Sequence, residues 1–228
     1  MMKKIFLGAL VMLFNQMAFM QTTETRPLHE VKKILISGKT FSAELIKGDE
    51  NKIEITSSDL TMDKILTTES NGELKISVKG IFTTGNVTCK IYCTTIPASI
   101  EVNNGALIKS TEKLEVGQIS LITNSDGYIH LKLISENVTV QCNSGGDMTL
   151  EGSTQTFTAS ANTNATVRAD LMTMDNATVK AYLGAEIYIS AKNNITCNTG
   201  TNGKIHIYKP YAPNITETNE SGGQVIRE

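Results

Sequence analysis

Apolar and polar residues alternate along most of this chain, and from Ile100 onward the alternation returns in a fixed frame. Small-residue turns centred on Gly105, Gly127, Gly146, Ala165, Ala185 and Gly203 are spaced by 22, 19, 19, 20 and 18 residues. Aligned on those turns, one inward column reads Ile100, Leu121, Val140, Ala159, Val179 and Ile195. A narrower column follows two residues later with Val102, Thr123, Cys142, Ala161, Ala181 and Cys197. Beyond the turn, Ile129, Met148, Val167, Ile187 and Ile205 align, and then Leu131, Leu150, Ala169, Ile189 and Ile207. Two-residue alternation on both sides of a recurring turn marks strands with one inner and one outer face. A repeat of about 20 residues that cannot bury its apolar face alone must stack on copies of itself. The pattern predicts an all-β fold, a parallel β-helix or solenoid of about 19–20 residues per coil.

The remainder divides around that array. Residues 97–209 form the regular coils. Residues 31–96 alternate without the repeat: Phe41, Ala43 and Leu45, then Ile53 and Ile55, then Leu74, Ile76 and Val78 after the Asn71-Gly72 turn, then Val87, Cys89, Ile91 and Cys93. They are expected to begin the solenoid and cap its open end, because exposed strand edges invite other chains. Residues 210–228 echo one more coil with Glu217 at a core position, a polar cap or tail. The final regular coil is expected to carry two extra residues in its turn. At the other end, Lys3-Lys4, an apolar run from Ile5 to Phe14 and a polar boundary near Gln21 predict a signal peptide over 1–20, followed by a short leader over 21–30. The expected location is outside the cytoplasm, in the periplasm, on the outer-membrane surface or in the medium. No integral membrane span is expected once the signal is cleaved.

Composition agrees with strands and tight turns: 29 Thr, 18 Asn and 17 Gly against 4 Pro and no Trp. Removing 1–20 takes two Lys and no acid, so 21 basic residues become 19 against 23 acidic, a net charge of −4. That balance offers nucleic acid no electrostatic footprint.

Candidate chemistry is sparse. Asn103, Asn124, Asn143, Asn162 and Asn198 recur where strand meets turn, and stacked amides can hydrogen-bond from coil to coil, so these Asn are expected to form a structural ladder. An outward column of His130, Thr149, Arg168, Tyr188 and His206 supplies His130, Arg168, Tyr188 and His206 as candidate binding residues. Cys89 and Cys93 are too far apart along one strand to bridge, and Cys142 and Cys197 are expected in one column with two coils between them. Four free, buried thiols and no disulfide are therefore expected. The three His are too scattered for a metal site, no catalytic motif occurs, and no cofactor is implied. Seven Asn-x-Ser/Thr triplets are attributed to composition.

The opening Leu74-x-Ile76 with Pro97, the serial turns such as Asn143-Ser144-Gly145-Gly146-Asp147, and the closing Lys204-Ile205-His206-Ile207-Tyr208-Lys209-Pro210 resemble the auto-transporter adhesin head domain of the GIN type. That family is abundant in exported Bacteroidetes proteins of unknown function. The resemblance spans roughly Val31 to the C-terminus and implies a right-handed parallel solenoid with no catalytic residues to carry over. The expected function is a noncatalytic envelope or cell-surface interaction module, adhesin-like, with a surface protein or glycan as partner. The alternative is a carbohydrate-binding or polysaccharide-degrading β-helix protein.

Overall fold

A computed structural model describes residues 21–80 and 85–228. The expected signal peptide lies outside the described residues. The described residues form sixteen strands: β1 (Thr22–Pro27), β2 (Lys33–Ser37), β3 (Phe41–Lys47), β4 (Lys52–Ser57), β5 (Ile65–Ser70), β6 (Glu73–Val78), β7 (Val87–Cys93) and β8 (Ser99–Asn103) precede the long ones. Then come β9 (Leu107–Asn124), β10 (Tyr128–Asn143), β11 (Asp147–Asn162), β12 (Thr166–Tyr182), β13 (Glu186–Thr199), β14 (Lys204–Ile207), β15 (Asn214–Asn219) and β16 (Gln224–Arg227). Successive long strands pair in parallel, with Tyr128 beside Asp147, Asp147 beside Thr166 and Thr166 beside Glu186. The architecture is a β-solenoid. In β10 and β11 the inward alternation breaks once, between Ser135 and Val138 and between Thr154 and Phe157, so a coil has two strand segments, a tight turn between them and a second corner at that break.

Alternation fixes which side is core. Leu121, Val140, Ala159 and Val179 from one segment, and Ile129, Met148, Val167, Ile187 and Ile205 from the other, are all buried. Five of the turns are closed the same way. The amides of Ala106, Gly127, Gly146, Ala185 and Gly203 donate to the carbonyls of Asn103, Asn124, Asn143, Tyr182 and Gly200. Ala106, not Gly105, is thus the counterpart of Gly127.

The N-terminal strands are nested rather than sequential. β2 pairs in parallel with both β6 and β8, and β3 with both β7 and β9. The first coil of the chain is therefore the second of the stack. The chain lays down β2 and β3, turns back through β4 and β5, sets β6 and β7 beneath that coil and crosses to β8 above it. β4 and β5 pair antiparallel with β7 and β6 and so run against the solenoid direction, and β1 covers β4 antiparallel, which returns it to that direction.

Two expectations at the C-terminal end need correction. The last regular coil has no longer turn: Thr199 pairs with Ala181 and Lys204 with Glu186, leaving four residues as in the coil before it. The difference lies at the second corner, where eight steps from Ala169 to Ala177 face six from Ile189 to Ile195. The frame of that segment therefore moves by two. Ile195 pairs with Ala177, Cys197 with Val179 and Asn198 with Lys180. A shift of two keeps inward residues inward, which is why alternation alone could not detect it. Cys142 pairs with Ala161, so Cys142 and Cys197 occupy neighbouring columns instead of one.

Candidate interaction face

The two strand segments of each coil present chemically different outer faces. On the segment after the turn, the outward column runs Lys109, His130, Thr149, Arg168, Tyr188 and His206. In-register stacking sets neighbours in such a column roughly 4.8 Å apart, within reach of flat side chains. Arg168, Tyr188 and His206 use this spacing to form one continuous stack. The Tyr188 and His206 rings are 4.5 Å apart and 10° from parallel, and the Arg168 guanidinium lies 5.4 Å from the Tyr188 centroid. His130 is not part of it. Thr149 intervenes, and the His130 ring instead meets Glu151 at 3.0 Å.

Flanking columns hold this stack in place. Arg168 Nη1 donates to Asp147 Oδ2 at 2.9 Å, and Lys204 Nζ donates to Glu186 Oε1 at 3.1 Å. The Tyr188 hydroxyl donates to Glu186. That bond pushes the Tyr188 phenol up to about 12, and together with Lys204 it lowers the Glu186 carboxyl below its ordinary value. His206 Nδ1 lies 2.9 Å from Glu228 Oε1. The face is charged and aromatic, and its charges are largely neutralised internally.

The segment before the turn carries amides and hydroxyls instead. At the turn, Asn124 donates to Asn103 at 2.9 Å, Asn143 to Asn124 at 3.1 Å and Asn162 to Asn143 at 3.4 Å. Tyr182 follows Asn162 in that column. Asn198 does not belong to it, because the two-residue shift sets Asn198 between Lys180 and Thr218. A second amide ladder, unforeseen from sequence, runs along the other edge: Asn194 donates to Asn176 at 2.6 Å and Asn214 to Asn194 at 3.1 Å. Its signal was present in the Asn-x-Thr triplets. Asn137-Val138-Thr139, Asn176-Ala177-Thr178, Asn194-Ile195-Thr196 and Asn214-Ile215-Thr216 each place an outward amide, a core residue and an outward hydroxyl at the same point of the coil.

The four cysteines are buried and unbridged. Burial pushes the thiols of Cys89, Cys93 and Cys197 up to about 12 and that of Cys142 up to about 11. Thiols held protonated in this way are poor nucleophiles and poor metal ligands. Among the described residues no group of three His, Cys, Asp or Glu could hold a metal ion, and no helix is long and apolar enough to cross a membrane. A depression of about 550 Å³ lies at the second corner between Glu115, Glu136, Asp175 and Lys192, with Lys192 Nζ 3.6 Å from Asp175 Oδ1.

A parallel β-solenoid whose surface carries amide ladders and an aromatic stack from coil to coil defines a repeat-built scaffold. Residues 32–210 match the family described as the putative auto-transporter adhesin, head GIN domain, and the chain belongs to that family. Solved structures similar in fold include a putative adhesin from Bacteroides fragilis, with TM-score 0.81 and 15% identity over 92% of this chain and 97% of that one. A putative adhesin from Parabacteroides merdae gives TM-score 0.72 at 15% identity over 91% and 96%. A protein from Parabacteroides distasonis described as a putative lipid binding protein gives 0.71 at 13% over 91% and 96%. No curated protein is matched by the sequence.

Proposed function

We propose that this chain is a noncatalytic, exported envelope or cell-surface module that holds a protein partner on the outer face built after the turn. The observation that carries the reading is the Arg168–Tyr188–His206 stack. Arg and Tyr contribute the most binding energy per residue at protein interfaces. Their rotamers are already held by Asp147, Glu186 and each other, so a partner does not have to order them. The basic and apolar layout of residues 1–20 supports export, and the family's description supports a surface role. A sugar platform at this column is disfavoured, because Tyr188 has Arg168 on the side of the preceding coil and His206 on the side of the next. An aromatic ring flanked on both faces leaves no open face for a sugar ring. The depression at the second corner is shallow, and its Lys192 is engaged by Asp175, so a polysaccharide-degrading reading gains no support.

The test is capture of envelope proteins by the mature chain, compared with Arg168→Ala plus Tyr188→Ala. The expected result is a saturable protein partner whose affinity falls at least tenfold in the double variant while circular dichroism is unchanged. Equal capture by both proteins would remove the stack from the binding site.

A further inference from the structure

The face built before the turn has a property the other lacks: along two adjacent columns it carries no ionisable group. One column reads Ser99, Ser120, Thr139, Thr158, Thr178, Thr196 and Thr216, each in register with the next. Beside it run Gln118, Asn137, Thr156, Asn176, Asn194 and Asn214. The five Thr of the first column are exposed. At the N-terminal end the strip stops at a charged cluster, where Lys33 Nζ lies 3.1 Å from Glu73 and 3.3 Å from Glu101. A shallow hollow of about 200 Å³ between Gln118, Ser120, Asn137 and Thr139 lies within it.

We infer that this strip binds a neutral, extended polysaccharide laid along the solenoid axis. Its hydroxyls and amides repeat at one translational period, roughly 4.8 Å, close to the length of one pyranose residue in an extended β-1,4-linked chain. Seven hydroxyls in register therefore offer a rail of roughly 29 Å, the length of several sugar residues, with a donor and acceptor at every step. The absence of charge matches a neutral ligand, whereas a polyanion would lose hydration here without a compensating partner. A protein partner would want aromatic or Arg anchors, and the two columns contain none.

Each hydrogen bond exchanged with water is weak, so affinity must come from many in register, and the signature of the mode is dependence on ligand length. This inference is independent of the protein-binding reading, which concerns the other face.

The experiment titrates the mature protein with neutral β-1,4-linked hexasaccharides of glucose, mannose and N-acetylglucosamine and with the corresponding disaccharides, using polygalacturonate as an acidic control. The expected result is binding of at least one hexasaccharide, at least tenfold tighter than its disaccharide. Thr158→Val plus Thr178→Val, which removes two hydroxyls and keeps β-branched side chains on an exposed face, should weaken it about tenfold. Arg168→Ala plus Tyr188→Ala should leave it unchanged. Overturning outcomes are no binding of any hexasaccharide, affinity independent of length, preference for polygalacturonate, loss with the Arg168 and Tyr188 variant instead of the Thr variant, or self-association of the protein through this strip.

Discussion

At the scale of the residue, the thiols show how burial sets chemistry. An unperturbed Cys would ionise near 9.0, while Cys89, Cys93 and Cys197 are pushed up to about 12 by loss of hydration of the thiolate. The neutral thiol is therefore favoured by the fold. Its stabilising contribution is complete below the unfolded value near 9 and is lost as pH rises towards 12. Chemical denaturation should show stability falling across that window, and falling less in Cys89→Ala plus Cys197→Ala. A thiol reagent at pH 8 should leave the native protein unmodified and modify four sulfurs in denaturant; rapid labelling of the native chain would contradict the burial. Asn198 illustrates the opposite dependence. Its identity matches the other turn Asn residues, yet its neighbours are Lys180 and Thr218, so its role is set by register.

At the scale of the element, the coil is held by what it shares with the next one. Asn143 accepts from Asn162 and donates to Asn124 across two interfaces. A net value of about 1 kcal/mol per bond predicts that Asn143→Leu lowers unfolding free energy by about 2 kcal/mol, read from urea melts, with partner capture per folded molecule unchanged. An unaltered melt would mean the ladder is incidental. The corners add a constraint that sequence spacing did not convey. Gly152 has φ of +115°, and a Cβ there would meet the Leu133 carbonyl oxygen at 2.0 Å, so that bend depends on its glycine. Turns were legible because small residues recur there; second corners were not, because their residues vary and their length changes between coils.

For the whole molecule, the problem is to end a stack whose core would otherwise continue. Both ends use the same device. In β1 the residues opposite core Ile55 and Ile53 are Glu24 and Arg26, paired at 2.7 Å. Arg26 also donates to the Ile65 and Met62 carbonyls at 2.8 and 3.2 Å, tying the two sides of that end together. At the C-terminal end, Glu217 opposite Cys197 and Arg227 opposite Ile207 form an ion pair over the last core layer. Replacing a charge pair by core-like residues removes the hydration that keeps such an end in water. Glu217→Val with Arg227→Ile should double the light-scattering mass of the unaltered protein in a concentration-dependent way. The association should stop at that doubling, because the Glu24–Arg26 end still refuses a neighbour. A variant of unchanged mass would show that the edges alone terminate the stack.

The sequence by itself determined the solenoid, its period, its inward columns and three rungs of the turn ladder, because inward and outward positions alternate strictly and the turns share small residues. It also put Arg168, Tyr188 and His206 in one column, since the coils that contain them keep a common frame there. Only the tertiary structure decided the placement of Cys197 and Asn198, the nesting of β2 and β3 between later strands, and the separation of a charged face from a neutral two-column strip. Those depend on contacts between coils, where a two-residue shift leaves the alternation intact and a crossover leaves no mark on composition. The neutral strip was spelled in the Asn-x-Thr triplets all along, but a triplet becomes a surface only when the stack sets one copy beside the next.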